Sequence, residues 1–399
     1  MNIDQFVLNY LKRTESLFAK DLQVNKEKLS INIKDKSLMV IGGAGTIGSS
    51  FIKAALKFKP RKLVVVDINE NGLTELVRDL RSVEDQYIPD DFVTYPLSFD
   101  SPAFRKLFIA HGPFDIVANF AAHKHVRSEK DIYSIEALIE NNLVKAKGLL
   151  DLLVEYPPNH FFCVSTDKAA NPVNIMGASK KMMEELILSY GDKIKVSTAR
   201  FANVAFSNGS LLEGFLKRIE KEQPLSCPSD VKRFFVSPQE SGEICLMACV
   251  LGENREIFFP KLDMEKDLIK FADIFPVLLK KLGFEAVIFN SDVEARKNID
   301  LIKEGKYPVY VFETNTSGEK LYEEFYTEDE DFNLKKFNAL GVISKSPTYK
   351  TEEFEVIFKE LYNLLDDPKL EKSQIVAWLN KYIPEFEHIE TGLGLDKKM

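Results

Sequence analysis

Three consecutive polar residues, Thr166, Asp167 and Lys168, follow the apolar run HFFCVS at 160–165. A hydroxyl, a carboxylate and an amine are groups that orient a substrate and move its protons. If the run is a parallel strand, they lie at its carboxyl end, where open α/β sheets bind ligands. Thr166 could instead cap a turn, with Asp167 and Lys168 as a surface ion pair. Three polar residues directly after a buried strand favour a site.

Met176 and Lys180 are the next candidates, four residues apart in the segment MGASK. This spacing places both side chains on one face of a helix. The thioether of Met176 can neither give nor take a proton, unlike the amine of Lys180. Acid–base chemistry in this site therefore has to be carried by other residues.

The glycine-rich segment VIGGAGTIGSS follows an apolar run and opens a helical pattern. Its backbone N–H groups can approach a pyrophosphate, which predicts a dinucleotide site. Asp67 ends the second apolar run, 19 residues after Gly48, where an acid binds ribose hydroxyls and repels a 2′-phosphate. We expect tightly bound NAD; NADP, through Arg78 and Arg81, and Asp67 as a mere helix cap are the alternatives. The predicted cofactor contacts are Gly42, Gly45, Thr46, Ile47, Gly48, Asp67, Ser98, Phe99, Ala121, Ala122 and Lys180.

Short apolar runs alternate with helical periodicity from Ser37 onwards. Nearly continuous apolar strands separated by helices predict a parallel sheet covered on both faces. The predicted fold class is α/β, a doubly wound parallel Rossmann sheet with a smaller C-terminal substrate-binding lobe. The predicted strands are 37–41, 62–67, 92–97, 114–120, 160–165 and 195–201, and the predicted helices are 46–58, 70–82, 101–110, 131–155 and 176–190.

The pattern divides the chain into four segments. They are an N-terminal helical extension (1–36), the NAD(P)-binding Rossmann domain (37–201), a substrate-binding lobe partly interleaved with it (202–335) and a helical C-terminal extension (336–399). The acidic run EDED at 328–331 is interpreted as solvated surface. The two extensions could cover the cofactor, extend a subunit interface, or do both.

The 399-residue chain has a formal charge of −8 and is 45% hydrophobic and 29% charged. This composition is typical of a globular protein, and the charge argues against a general nucleic-acid or anionic-membrane surface. The four cysteines lie in mostly apolar surroundings, which predicts buried free thiols in a reducing compartment. The chain shows no signal-peptide pattern and no run approaching the ~18 apolar residues of a membrane span, so we expect a cytoplasmic protein.

Six motifs occur in order along the chain: GGAGTIG, NFAAHKHVRSEKD, VSTDKAANPVNIMGASK, RFANVAFSNGS, KRFFVSP and SGEKLYEEF. Together they resemble the extended short-chain dehydrogenases/reductases. More narrowly, they resemble the inverting UDP-N-acetylglucosamine 4,6-dehydratases of the polysaccharide-biosynthesis (capsule and flagellin-sugar) family, over roughly residues 37–330. The superfamily usually has a Tyr acid–base at the position of Met176, and a subgroup of these dehydratases also has Met there. Met176 therefore does not by itself imply a loss of catalysis.

The resemblance implies hydride transfer from C4 of the sugar, loss of water across C5 and C6, and hydride return to C6, so that the cofactor is recycled. Our hypothesis makes Lys168 the base at C5, with the C4 step as a further role left open, Asp167 the acid at C6, and Thr166 the group that orients the C4 hydroxyl. The resemblance implies cofactor binding for Lys180, and Met176 forms a wall of the pocket. Lys168 then needs a pKa lowered by burial and by a cation such as Lys180. Asp167 needs an apolar pocket that keeps it protonated.

The resemblance also implies a nucleotide-sugar site. His123 and His125 have the spacing of a metal pair, but no third ligand is evident, so we expect no metal. Where the family usually has Arg before Pro-Gly-Glu-Lys, this chain has Thr316 and Ser317 by alignment, which removes a phosphate or ribose contact. The predicted substrate contacts are Lys124, His125, Asn203, Ser210, Arg233 and Glu319, and the family positions beside the site include Glu129 and Asn142.

The expected function is conversion of UDP-N-acetylglucosamine to a UDP-4-keto-6-deoxy sugar, with or without inversion at C5, for surface-glycan or amino-sugar synthesis. Two alternatives stay open. A nucleotide-sugar epimerase generally needs the missing Tyr, and a noncatalytic NAD-binding sensor or scaffold would not need Thr166, Asp167 and Lys168. The resemblance implies a homo-oligomer, and we expect neither a nucleic-acid nor a membrane partner.

Overall fold

The computed structural model describes residues 2–314, 320 and 322–390. The strands in the described residues are β1 (Ser37–Ile41), β2 (Lys62–Asp67), β3 (Asp91–Pro96), β4 (Ile116–Asn119), β5 (His160–Val164), β6 (Val196–Ala199), β7 (Asn203–Val204), β8 (Leu225–Pro228), β9 (Lys232–Val236), β10 (Glu256–Pro260), β11 (Leu268–Lys270), β12 (Glu285–Phe289), β13 (Lys306–Phe312), β14 (Phe332–Asn333) and β15 (Leu340–Ser344). The helices are α1 (Ile3–Tyr10), α2 (Ala19–Val24), α3 (Lys26–Ile33), α4 (Thr46–Leu56), α5 (Glu70–Ser82), α6 (Pro102–His111), α7 (Ile132–Ile139), α8 (Lys145–Glu155), α9 (Ile175–Ser189), α10 (Leu211–Glu220), α11 (Pro238–Leu251), α12 (Phe271–Lys281), α13 (Asp292–Lys297), α14 (Thr351–Leu365) and α15 (Lys372–Tyr382).

Nine strands form the main sheet in the order β14-β15-β10-β6-β5-β4-β1-β2-β3. The strands from β3 to β10 are parallel, and β15 and β14 continue the sheet with antiparallel pairing. The chain reverses its direction of winding between β1 and β4, and such switch points create a ligand crevice at the carboxyl ends of the strands. The predicted doubly wound fold is confirmed.

Two apolar cores cover the faces of this sheet. On one face, α3, α4, α5 and α11 pack against the strands, and on the other, α6 to α9 pack together with α14 and α15. The strand β1 is buried along its whole length, as expected for a parallel strand covered on both sides. The four cysteines are buried and free, as predicted.

The smaller lobe has its own apolar core and lies over the carboxyl edge of the sheet. It contains the parallel sheet β12-β13-β8 with α1, α10 and α12. A second small sheet, β11-β9-β7, leads from the end of β6 into this lobe. Within the described residues, no helix is both long and apolar enough to cross a membrane.

The predicted elements agree with the structure to within two residues at each end, apart from one break. The predicted helix 131–155 is divided into α7 and α8 by a π-helical turn, Glu140–Val144. The N-terminal extension, predicted to be helical, forms three helices, α1, α2 and α3. β10 and β15 lie outside 37–201 and still belong to the main sheet, so segments distant in sequence complete one layer.

The acidic run at 328–331 is not uniformly solvated, contrary to the prediction. The side chain of Glu330 is 6% exposed and pairs with Arg200 at 2.7 Å. A carboxylate is stable there because Arg200, itself fully buried, supplies the opposite charge and two N–H donors. The sequence pattern does not show this because the partner lies 130 residues away.

Candidate active site

A cavity of about 980 Å³ lies between the carboxyl edge of the main sheet and the smaller lobe. It brings together the predicted cofactor contacts and the predicted substrate contacts. The described ones range from Gly42 to Arg233, which are 191 residues apart in the sequence. Glu319 lies outside the described residues. The predicted residues that line the cavity are Gly42, Gly45, Thr46, Ile47, Gly48, Asp67, Ser98, Phe99, Ala121, Ala122, Lys124, His125, Thr166, Asp167, Lys168, Met176, Lys180, Asn203, Ser210 and Arg233.

The glycine-rich turn after β1 fits a dinucleotide. Gly42 has φ of +74°, and a Cβ there would lie 2.5 Å from the backbone nitrogen of Ala121. A Cβ at Gly48 would lie 2.3 Å from the carbonyl oxygen of Gly42, so only glycine permits this packing. Among the described residues no side chain caps α4 at Gly45, which leaves the first N–H groups of the helix available to a pyrophosphate.

Asp67 lies at the end of β2 on the wall of the same cavity. Its carboxylate accepts hydrogen bonds from the backbone N–H of Ala44 at 3.0 Å and of Asn69 at 2.9 Å. The side chain that caps α5 is Asn69, not Asp67. The carboxylate is therefore fixed beside the glycine-rich turn, where a ribose would lie.

The ammonium group of Lys168 lies between two carboxylates. Its Nζ is 3.1 Å from Oδ1 of Asp167 and 3.4 Å from Oε1 of Glu323. The same Oε1 is 3.9 Å from Nη2 of Arg233. Glu323 also lines the cavity, and the sequence analysis missed it although it lies in the motif SGEKLYEEF. The four charged groups form a buried cluster, which we call the charged cluster.

The structure contradicts the expected lowering of the Lys168 pKa. Burial lowers this pKa, but the charges of Asp167 and Glu323 raise it by more, so that it lies above the ordinary value for lysine. The cation that faces Lys168 is Arg233, not Lys180 as predicted. Lys168 is therefore an ammonium ion in the ligand-free protein.

Asp167 lies in an ionic environment rather than in the predicted apolar pocket. Its Oδ1 accepts hydrogen bonds from the Thr166 hydroxyl at 2.8 Å and from the backbone N–H of Lys168 at 2.9 Å. Together with the contact to the Lys168 ammonium, this arrangement suits an ionised carboxylate. Asp167 can thus receive a proton through Thr166 before it gives one away.

Met176 and Lys180 lie on α9 and both face the cavity, as their spacing predicts. Nζ of Lys180 donates to the carbonyl oxygen of Val164 at 2.8 Å. Burial lowers the pKa of Lys180, against the opposing effects of Cys163 and Glu184. The side chain of Met176 is buried, so it forms part of the wall and carries no proton.

Asn142 and Glu129 hold the segments around α9 in place. On the π-helical turn, Nδ2 of Asn142 donates to the carbonyl oxygen of His123 at 2.9 Å and to the hydroxyl of Ser179 at 3.1 Å. Glu129 accepts a hydrogen bond from the backbone N–H of Met176 at 3.2 Å. π-Helical turns often occur at functional sites. Here the turn places the buried amide of Asn142 between the segment at His123 and helix α9.

The part of the cavity in the smaller lobe is more aromatic than the sequence analysis suggested. Phe271, Phe312 and Thr314 line it, and no short motif in the sequence joins these residues. Arg233 is buried, and its guanidinium donates to the carbonyl oxygen of Lys320 at 2.9 Å. Ser210 caps α10 by accepting from the backbone N–H of Glu213. Apolar walls with a few fixed polar groups are typical of small-molecule sites.

Comparison with protein families gives a match to the model described as "Polysaccharide biosynthesis protein" over residues 38–345. "Uncharacterized membrane protein MJ1061" of Methanocaldococcus jannaschii is 32% identical over 348 residues, which cover 86% of this chain and 94% of that protein. "Capsular polysaccharide biosynthesis protein CapD" of Staphylococcus aureus is 28% identical over 374 residues, which cover 92% of this chain and 58% of that protein. The chain thus spans less than two thirds of CapD.

Two relatives carry names that state a reaction. "UDP-N-acetylglucosamine 4,6-dehydratase (inverting)" of Campylobacter jejuni is 26% identical over 315 residues, which cover 77% of this chain and 88% of that protein. "UDP-glucose 4-epimerase" of Rickettsia typhi is 31% identical over 236 residues, which cover 57% of this chain and 66% of that protein.

Two solved structures share the fold. Pen from Bacillus thuringiensis aligns with a TM-score of 0.65 at 22% identity and covers 82% of this chain and 98% of its own. DesIV, a dTDP-glucose 4,6-dehydratase from Streptomyces venezuelae with NAD and TYD bound, aligns with a TM-score of 0.55 at 18% identity and covers 72% of this chain and 88% of its own. The chain belongs to the polysaccharide biosynthesis protein family and has the fold of the extended short-chain dehydrogenases/reductases.

Proposed function

We propose that this protein is a NAD-dependent enzyme of the nucleotide-sugar dehydratase/epimerase group, and that it is a 4,6-dehydratase of UDP-N-acetylglucosamine. The observation that carries the proposal is the position of the charged cluster in the same cavity as the glycine-rich turn. A 4,6-dehydration needs a hydride acceptor and several proton carriers at one sugar ring. The Campylobacter relative supports the choice of substrate.

NAD is the cofactor that these residues fit. The turn at Gly42 and Gly48 and the carboxylate of Asp67 would hold its pyrophosphate and its adenosine ribose. When bound, NAD would supply the hydride acceptor for C4 and the hydride donor for C6, so that one tightly held molecule would serve every turnover. Arg78 lies on the surface in an ion pair with Glu75 and does not line the cavity, which favours NAD over NADP.

The hydrogen bond from Thr166 to Asp167 gives the C4 hydroxyl proton a path. Thr166 accepts that proton while its own hydroxyl proton passes to the carboxylate, so Asp167 becomes a neutral acid during oxidation. The same proton then protonates the C6 oxygen as it leaves as water. Asp167 thus acts as base and then as acid, without an apolar pocket that keeps it protonated beforehand.

Lys168 removes the proton from C5. Once Asp167 is neutral, one of the two anions that raise the Lys168 pKa is gone, while burial and Arg233 continue to lower it. The ammonium therefore loses a proton more readily, and the free amine becomes available, at the stage when the C5 proton has become acidic. The same group returns a proton to C5 after the hydride has reached C6, which restores the amine for the next step.

The proposed function and its two alternatives, an epimerase and a noncatalytic sensor, differ in the fate of a hydrogen label at C4. UDP-N-acetylglucosamine with deuterium at C4 is incubated with the protein, and the product is examined by NMR. A dehydratase transfers the deuterium to the new C6 methyl group, as we predict. An epimerase returns it to C4 with inverted configuration, and a noncatalytic sensor leaves the substrate unchanged. Either of the last two outcomes contradicts the proposal.

A further inference from the structure

Glu323 is a buried carboxylate that joins the two halves of the cavity. It is 4% exposed, and one of its oxygens faces Lys168 from the sheet edge at 3.4 Å and Arg233 from the smaller lobe at 3.9 Å. The next residue, Glu324, is exposed and lies outside this cluster. Its carboxylate accepts a hydrogen bond from the side-chain amide of Asn171 at 2.7 Å. Two adjacent acids of one motif therefore have different surroundings.

The surroundings of Glu323 make its carboxylate easier to protonate than that of an ordinary glutamate. Burial raises the pKa of Glu323, Lys168 lowers it, Asp167 raises it, and Arg233 and Lys320 lower it, with a net rise above the ordinary range for glutamate. A carboxylate that is easier to protonate than usual lies next to an ammonium that has to lose a proton. A distance of 3.4 Å in a ligand-free site is compatible with a catalytic hydrogen bond that shortens when substrate binds.

The proposed dehydration leaves one proton without a carrier. Lys168 begins as an ammonium ion and cannot accept the C5 proton until it has lost one of its own. Asp167 already holds the proton from the C4 hydroxyl at that stage, and Met176 cannot hold one. Of the described residues in contact with Lys168, Glu323 is the acid that remains.

We propose that Glu323 is the proton partner of Lys168: it positions the amine opposite Asp167 and takes up one proton while Lys168 acts as base. In this step one N–H bond of the ammonium breaks and one O–H bond forms on Glu323, which gives a neutral amine and a neutral carboxylic acid. The reverse transfer restores both charges after C5 is reprotonated, so no other reactant is needed. This inference rests on the proposed dehydratase function.

The test compares Glu323→Gln with Glu324→Gln and the unaltered protein. In Glu323→Gln the amine can form only by release of a proton to solvent. Its kcat is therefore expected to be ~100-fold lower at pH 7 and to rise about tenfold per pH unit between about pH 6 and 8. The unaltered protein and Glu324→Gln are expected to show a flat profile, since the pair keeps its proton. KM and NAD content are expected to stay close to those of the unaltered protein in both variants.

A purely structural role for Glu323 would lower kcat at every pH without changing the slope, and that result would overturn the inference. Unchanged turnover of Glu323→Gln would overturn it as well. If Glu323→Gln does not fold or does not retain NAD, Glu323→Asp is measured instead. A carboxylate at this position should keep kcat independent of pH between about pH 6 and 8. A kcat that rises with pH in Glu323→Asp would contradict the inference. If the unaltered protein does not dehydrate the substrate, both proposals are overturned. If it does, and a variant gives one of the contradictory results above, only the inference about Glu323 is overturned.

Discussion

At the scale of residues, the charged cluster distributes proton transfer over several side chains. In the proposed mechanism, Asp167 exchanges a proton with the sugar hydroxyls and Lys168 exchanges one with C5, whereas Met176 carries none. The contacts of 3.1 and 3.4 Å to Lys168 explain why a lysine can lie in this cavity as an ammonium ion. The proposed chemistry then depends on how the charges of these neighbours change during turnover.

Replacement of Lys168 by Ala removes the proposed base at C5. We expect turnover to fall by at least ~100-fold, because this is the usual contribution of a positioned acid or base. NAD should stay bound, since the glycine-rich turn and Asp67 are unaffected. Mass spectrometry of the product and absorbance of released cofactor measure the two effects. Lys221→Ala, at an exposed position, is the control, and near-normal turnover of Lys168→Ala would falsify the assignment.

Replacement of Asp67 by Asn removes the charge that repels a 2′-phosphate. The amide retains the size of the side chain, but it can accept only one of the hydrogen bonds from Ala44 and Asn69, so the turn after β1 is held less firmly. We expect the preference for NAD over NADP to fall by about tenfold or more, through weaker repulsion of NADP and weaker ribose hydrogen bonds. Affinities of both cofactors for protein stripped of its own cofactor give the ratio. An unchanged ratio would show that Asp67 does not select NAD.

At the scale of elements, a second ionic network holds α9 against the sheet. Arg200, directly after β6, makes a bidentate contact with Glu184 of α9, the shorter distance being 2.7 Å, and a further one with Glu330. Glu184 also accepts from the hydroxyl of Ser165 at 2.5 Å. Ser165 precedes Thr166, so this network fixes the turn that carries the charged cluster.

The network makes stability depend on pH. Burial raises the pKa of Glu330, but Arg200 and Lys181 lower it to about 2. Because the folded-state pKa is depressed, the stabilisation is fully present above the ordinary value for glutamate and is lost as the pH falls towards 2. Glu330→Gln is expected to lower the free energy of unfolding at pH 7 by about 3 kcal/mol and to weaken its dependence on acid.

Urea unfolding at pH 7 and at acidic pH measures both effects of Glu330→Gln. Glu328→Gln changes an exposed acid of the same run and should alter stability by less than about 0.5 kcal/mol. Equal stability of the two variants would show that the pair with Arg200 contributes nothing.

At the scale of the whole molecule, the N-terminal segment is built into the fold. Phe18, Leu29 and Ile33 are fully buried against the main sheet and its helices. The carboxylate of Asp21 accepts hydrogen bonds from the backbone N–H groups of Asn338 at 2.6 Å and Ala339 at 2.7 Å. The N-terminal segment thus contacts the residues that lead into β15, and its helices stabilise this part of the main sheet.

Asp21→Asn replaces one of the accepting oxygens of this buried side chain by a donor, which then faces a backbone N–H group of Asn338 or Ala339. The free energy of unfolding is expected to fall by about 2 kcal/mol. Thermal unfolding of the purified variant, with NAD content determined in parallel, measures the loss. Asp35→Asn changes an exposed acid of the same segment and should have little effect. If the two variants unfold alike, the contact with β15 is not a source of stability.

The sequence predicts the fold well where the pattern is local. β1 and β2 match their predictions at both ends because strands buried on both faces are nearly continuous apolar runs. The π-helical turn between α7 and α8 could not be predicted in this way, because one additional residue in a turn hardly changes the helical periodicity of the sequence. Strand ends identify Thr166 to Lys168 as a site. The pKa of Lys168, however, depends on burial, on the adjacent Asp167 and also on Glu323, which lies 155 residues later and meets Lys168 only in the folded chain.

The most direct test of the account is mass spectrometry of the purified protein incubated with UDP-N-acetylglucosamine and no added cofactor. We predict a sugar nucleotide lighter by one water molecule, in amounts exceeding the protein over many turnovers. That result would establish dehydration, a bound cofactor that is recycled, and a working site with Met176 in place of Tyr. An unchanged mass, with NAD shown to be present in the protein, would contradict the account.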